Sequence, residues 1–171
     1  MSVVVVSLSV CKQLPQGLES GLSEIEEIVE NFEFFDDWDG RYQYLIELGE
    51  ALPAMPDVLK VEENWVKPCM STVHVSAHRD EDNPALICFI GDCDTAIIKG
   101  VLTLLIDLLS HRTLSEIHEL DVDALFTRLK LQEHLSPSRH VGIYAIVEKM
   151  IERAEALSKV ETSKLEPTIL S

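Results

Sequence analysis

Apolar residues at positions 22, 25, 28, 29, 32 and 35 recur at the spacing of one helical face. They predict an amphipathic helix over 22–35, with Ser23 and Glu26 spaced as a capping box. A second helix is predicted from about Asp39 to Leu52, with Tyr42, Leu45, Ile46 and Gly49 on one side and Pro53 as its stop. Pro53, Pro56 and Pro68 then frame a loop-rich stretch that ends at Cys69. From Thr72 to Arg79 apolar and polar residues alternate, the pattern of a strand with one buried face, and His74 and His78 fall on the wet side. Asp80 to Pro84 is a turn signal, and the apolar run Ala85 to Ile90 suits a strand buried on both faces, so the two strands predict an antiparallel hairpin.

The second half reads as helices. Asp94 is placed to cap a mostly buried helix over Thr95–Leu109, which is too short and too charged to span a bilayer. Short helical pieces follow at Thr113–Glu119 and Asp123–Leu129. Ser136-Pro137 supplies an N-cap and a first-turn proline for a last helix to about Leu157. Its predicted buried stripe is Val141, Tyr144, Val147, Ile151 and Ala154, with fraying expected from Val160 onward. At the other end, Val3 to Val10 lacks a basic n-region and reads as an extra strand or an extension. The organisation expected is an extension over 1–21, one domain over 22–158 and a tail over 159–171.

Charge narrows the choice of partners. The chain of 171 residues carries 30 Asp and Glu against 14 Lys and Arg, a net charge of −16. That balance argues against nucleic acid, whose binding depends on cations that neutralise phosphates. Residues 19–63 hold 14 acids and two bases, a net of −12. The excess reads as a solvated face or as a docking surface for a basic patch on a protein partner.

Cysteine carries the candidate chemistry. Four cysteines, at 11, 69, 88 and 93, do not form the dense array of a secreted disulfide scaffold, so a reducing, cytoplasmic setting is expected. Cys88, inside Leu-Ile-Cys-Phe-Ile, reads as a small core hydrophobe, and Cys11 has no readable context. Cys69 lies in a loop after Lys67-Pro68, where a thiol can be exposed and a lysine can favour the thiolate. A thiol hydrolase using Cys69 with His74, His134 or His140 would need a base oriented by a third group. No Cys-x-x-Cys or His-Glu-x-x-His pair is present, and no metal ligand is assigned. Asp37-Trp38-Asp39-Gly40 fails as a calcium loop, because Phe35 and Ile46 would occupy carboxylate positions. Lys99-Gly100 stands in reverse order to a phosphate-binding loop.

Four blocks in order then point to a family. They are Trp38-Asp39-Gly40-Arg41-Tyr42-Gln43-Tyr44-Leu45-Ile46-Glu47-Leu48-Gly49, Val66-Lys67-Pro68-Cys69-Met70-Ser71-Thr72-Val73, Gly91-Asp92-Cys93-Asp94-Thr95-Ala96-Ile97-Ile98-Lys99-Gly100, and Leu131-Gln132-Glu133-His134-Leu135-Ser136-Pro137-Ser138-Arg139. Across about 32–152 the chain resembles the SufE family of sulfur-acceptor proteins. The resemblance implies an α+β fold, a short antiparallel sheet packed against several helices, similar to the IscU and NifU scaffolds. It implies that Cys69 accepts persulfide sulfur from a pyridoxal-phosphate-dependent cysteine desulfurase of the SufS or CsdA type. The chain would stimulate that enzyme as a sulfur-transfer partner and deliver sulfur to an iron–sulfur scaffold or another acceptor. Asp94 and Arg139 would support the loop and the partner contact, beside Lys67 and His134. No cofactor of its own, no nucleic acid and no membrane are expected, and a homodimer is left open. The chain departs from the family at Pro68, Met70, Thr72 and His74, and Pro68 predicts a stiffer loop. Cys93 stands where the family has Ser. It reads as a drift from serine, as a second acceptor, or as a disulfide partner of Cys69. The alternative function is a cluster or metal scaffold that uses Cys69 and Cys93 as ligands.

Overall fold

The computed structural model describes residues 21–164, with side chains described over 26–160. The predicted strand or extension at 3–10, Cys11, the Ser23 side chain of the expected capping box and the chain beyond 164 lie outside what is described, and α1 already starts at Gly21. Among the described residues are seven α-helices and one antiparallel pair of strands, an α+β fold. In chain order these are α1 (Gly21–Phe34), α2 (Trp38–Ala51), β1 (Val73–Arg79), β2 (Ile87–Cys93), α3 (Ala96–Leu109), α4 (Leu114–Glu119), α5 (Val122–Arg128), α6 (Leu131–His134) and α7 (Pro137–Lys164). Two single 3-10 turns, Asp57–Leu59 and Glu62–Asn64, interrupt the loop between α2 and β1.

Local chemistry explains the starts. The Asp37 carboxylate accepts the Gly40 N–H at 2.7 Å and caps α2. Thr113 and Glu116 form a capping box on α4, and Asp121 caps α5 through the Ala124 N–H. α7 begins at Pro137, as the Ser136-Pro137 signal predicts. It runs to Lys164, so the helix continues through the segment expected to fray from Val160.

The ladder pairs Val73 with Cys93 at one end and Arg79 with Ile87 at the other. Opposed residues share a face. Val73, Val75, Phe89 and Cys93 belong to the main apolar cluster, and a Cβ on Gly91 would meet Leu102 and Ile106 of α3. α7 packs on β1 beside α3 on β2. His74, Ser76, His78, Cys88, Ile90 and Asp92 face the other way. His74 and His78 therefore lie off the main core as expected, but both are half-buried, and burial pushes the His78 pKa below its ordinary value. β2 extends to Cys93, beyond the predicted end at Ile90.

α2 and α3 cross at two glycines. A Cβ on Gly49 would come within 2.9 Å of the Gly100 amide, and one on Gly100 would overlap the Leu45 carbonyl. Only hydrogen at both positions lets the helices meet backbone to backbone. The buried stripe of α7 differs from the predicted one. Ala154 is buried as predicted, and Val147 and Ile151 pack half-buried against the core, but Ile143, Ile146 and Met150 fill the buried face, whereas Val141 is 60% exposed and Tyr144 lies at the surface with its hydroxyl donating to Asp123. Both stripes satisfy the 3.6-residue period, and in the rotation adopted Gly142 is buried against the loop that carries Cys69. Among the described residues no helix is long and apolar enough to cross a membrane.

Candidate functional site

Cys69 sits at the tip of a loop whose base is closed by pairing. The Val66 N–H donates to the Val73 carbonyl at 2.9 Å, Trp65 bridges His74, and both valines are fully buried. Residues 67–72 are thus held between two anchored points, and the Cys69 N–H turns back to the Val66 carbonyl at 3.3 Å. The far side of the loop is tied to the start of α3. The Thr72 N–H donates to Asp94 Oδ1 at 2.9 Å, the Asp94 N–H donates to the Thr72 carbonyl at 3.3 Å, and the Ser71 and Thr95 hydroxyls lie 2.7 Å apart.

Asp94 does not cap α3. The N-cap is Thr95, whose hydroxyl is engaged with Ser71 and Asp94 and makes no cap bond, and the Asp94 carboxylate is turned back to the loop. The capping role read from the sequence is replaced by a tether on Thr72, between the thiol and the first residue of β1.

The Cys69 thiol is half-buried and makes no disulfide among the described residues. It opens on a cavity of about 610 Å³ lined by Met70, Ser71, Thr95, Ile98, Ser136, Ser138 and Arg139. Arg139 lies in the first turn of α7, and among the described residues its guanidinium has no ion pair. The structure thus brings Cys69, Asp94 and Arg139 to one place. Met70 stands beside the thiol with 88% of its surface exposed.

Two other candidates are elsewhere. Lys67 is paired with Glu62 at 2.6 Å and lies over the Trp65 ring, so its ammonium is directed away from Cys69. His134 stacks on Trp38 with ring centroids 3.6 Å apart, and its carbonyl accepts the Tyr42 hydroxyl at 2.6 Å. It joins α2 to the end of α6. Arg41 completes this knot over the Phe32 and Trp38 rings. The first sequence block therefore packs rather than reacts.

Cys93 is buried beneath the loop, and burial pushes its thiol pKa up to about 11. It is protonated near neutral pH, its Sγ accepts the Thr95 N–H, and it is not bonded to Cys69. No group of three ligand atoms including Cys69 or Cys93 forms among the described residues.

Sequence reasoning missed Gly142. A Cβ there would stand 2.9 Å from Cys69 Sγ and 3.5 Å from its Cβ. The signal was an isolated glycine in an otherwise helical stretch, which usually has a packing reason. Beyond Pro68 a second cavity, of about 780 Å³, is bordered by Glu62, Glu63, Glu148 and Glu152 together with Trp65, and by Lys67 and Lys149, which pair with Glu62 and Glu152. Part of the acidic excess thus lies next to the loop.

The SufE family model, described as an Fe-S metabolism associated domain, matches residues 26–154, which hold the loop, its Asp94 tether and Arg139. The chain belongs to the SufE family. An uncharacterized SufE-like protein of Rhizobium etli is 35% identical over 144 residues, covering 83% of this chain and 97% of that protein. A second, from Rhizobium meliloti, is 35% identical over 136 residues, covering 78% and 96%. The solution structure of a hypothetical protein from Thermus thermophilus superposes with a TM-score of 0.62 at 18% identity, over 78% of this chain and 94% of that one. It shares the α+β fold. This SufE member is accordingly associated with Fe–S metabolism.

Proposed function

We propose that the protein accepts sulfur on Cys69 from the persulfide of a pyridoxal-phosphate-dependent cysteine desulfurase and carries it to iron–sulfur cluster assembly. The observation that carries this reading is a half-buried free thiol at the tip of a doubly tethered loop, facing a cavity that Arg139 borders. The Cys69 thiolate attacks the terminal sulfur of the desulfurase persulfide. A new S–S bond forms on Cys69, the donor's S–S bond breaks, and the desulfurase cysteine leaves as a thiolate. No external oxidant or reductant enters the exchange. The enzyme's cysteine is freed for another turnover, so acceptance and stimulation are one event.

Arg139 is suited to the negative charge passed between the sulfurs, and Met70 offers an exposed apolar contact beside the thiol. The alternative, a cluster scaffold on Cys69 and Cys93, is disfavoured by the lack of a third converging ligand among the described residues. Incubation with a cysteine desulfurase and cysteine, followed by mass spectrometry of peptides, is the direct test. Added sulfur should map to Cys69 and should disappear in Cys69→Ser, together with the stimulated release of alanine. Stimulation that persists in Cys69→Ser with reductant present overturns the proposal.

A further inference from the structure

At the end of the hairpin opposite Cys69, about 20 Å along the ladder, three side chains of different elements converge. Asp80 follows β1, Cys88 is the second residue of β2, and His111 follows α3. Cys88 Sγ lies 3.6 Å from Asp80 Oδ2 and 3.6 Å from His111 Nδ1, and those two atoms are 3.2 Å apart. We propose that Asp80, Cys88 and His111 form a binding site for a divalent metal ion of the zinc class, separate from the sulfur-acceptor loop.

The triangle has the dimensions of a coordination face. Zinc bonds of about 2.3 Å to sulfur and about 2.0–2.1 Å to nitrogen and oxygen, set at tetrahedral angles, separate sulfur from each lighter ligand by about 3.6 Å and nitrogen from oxygen by about 3.3 Å. The observed separations match all three. A catalytic relay would place the thiol and the carboxylate on opposite ring nitrogens of the histidine. Here both face Nδ1, so the three atoms surround one point.

The surrounding bonds hold each ligand in place, as metal sites require. Asp80 Oδ1 accepts the Asp82 and Asn83 N–H groups, each at 2.9 Å, which leaves Oδ2 for the centre. The His111 N–H donates to the Ile87 carbonyl at 2.8 Å, and the Ile87 N–H donates to the Arg112 carbonyl at 2.8 Å. His111 is held at φ 57°, a left-handed conformation rare for a side-chain-bearing residue, and its ring is turned toward the pair on the hairpin. Cys88 is buried, Asp80 is half-buried and His111 is exposed, so the fourth position opens toward solvent through the histidine. On binding, Cys88 gives its proton to solvent, and the imidazole binds through Nδ1 with the proton on Nε2. The ligands are separated by a hairpin turn and by the whole of α3, which is why no short ligand spacing reveals them.

The reduced full-length protein titrated with Co²⁺ tests the site through the near-ultraviolet thiolate-to-cobalt charge-transfer band. A single saturable equivalent is expected, displaced by Zn²⁺, retained in Cys69→Ser and lost in Cys88→Ser. His111→Gly suits the left-handed backbone and keeps the fold. It should weaken binding by at least about tenfold and abolish the rise in melting temperature that Zn²⁺ gives the native chain. Sulfur acceptance on Cys69 should be unchanged in His111→Gly. Absence of a saturable band, a band that follows Cys69 instead of Cys88, or native affinity in His111→Gly overturns the proposal.

Discussion

Gly142 of α7 lies so close to Cys69 that a Cβ on it would stand 2.9 Å from the thiol sulfur. The helix surface is thus the floor on which the Cys69 loop rests. Alanine at this position gains about 1 kcal/mol of helix propensity but must turn Sγ out of its place. Gly142→Ala is expected to melt at or above the native temperature while accepting sulfur about tenfold more slowly, a barrier increase of about 1.4 kcal/mol. Single-turnover transfer from a persulfidated desulfurase checks it. Native transfer with native stability would separate the glycine from the reaction.

Asp94 tethers the loop through the Thr72 N–H. Asp94→Ala removes the acceptor and is expected to cost about 1 kcal/mol of stability in urea denaturation, with a slower Cys69 reaction. Asp94→Asn keeps an Oδ1 acceptor and should stay near native in both measurements.

Cys93 has a thiol pKa raised to about 11 by burial, against 9.0 for the ordinary group. The folded state holds its proton where the unfolded chain loses it, so the contribution to stability is fully present below pH 9 and is lost as pH rises through about 11. At a pH of about 8, below both values, iodoacetamide should label Cys69 in the folded protein and leave Cys93 intact, with Cys93 labelling only in denaturant. Cys93→Ser should leave desulfurase stimulation near native. A large loss would revive the two-cysteine reading.

Arg139 borders the Cys69 cavity without an ion pair among the described residues. Arg139→Ala is expected to leave the melting temperature near native and to lower sulfur transfer by about five- to tenfold, the scale of about 1 kcal/mol. Arg139→Lys should recover part of it, because charge is restored without the planar fork. Equal transfer in Ala and native chains would remove Arg139 from the site.

Glu62, Glu63, Glu148 and Glu152 border the cavity beyond Pro68. If a basic patch of the desulfurase docks there, affinity falls as ionic strength rises, since the screening length shortens from roughly 10 Å at 0.1 M to 3 Å at 1 M. Affinity that does not change with salt would assign these acids to solvation alone.

Much of this site was legible in local sequence. The block from Val66 to Val73 placed a cysteine in a loop ahead of a strand, and the alternation from Thr72 to Arg79 set the register of the hairpin face. Lys67 and His134 show where local reading stops. Nearness along the chain does not say which way a side chain turns, and both are taken up by partners, Glu62 and Trp38.

The chain by itself determined what depends on short-range periodicity and residue type: the order of the strands and of every helix but the short α6, the first-turn proline of α7, and a thiol in the loop between Pro68 and Met70. Tertiary structure decided what depends on how distant segments cross. It rotated α7 so that Gly142 rather than Val141 meets the loop, turned Asp94 from a helix cap into a tether, raised the Cys93 pKa by burial, and brought His111 to Asp80 and Cys88. Each of these is a distance between residues far apart in the chain. Such distances follow from the close approach of α2 and α3 and the packing of α7 on β1, which no local pattern encodes.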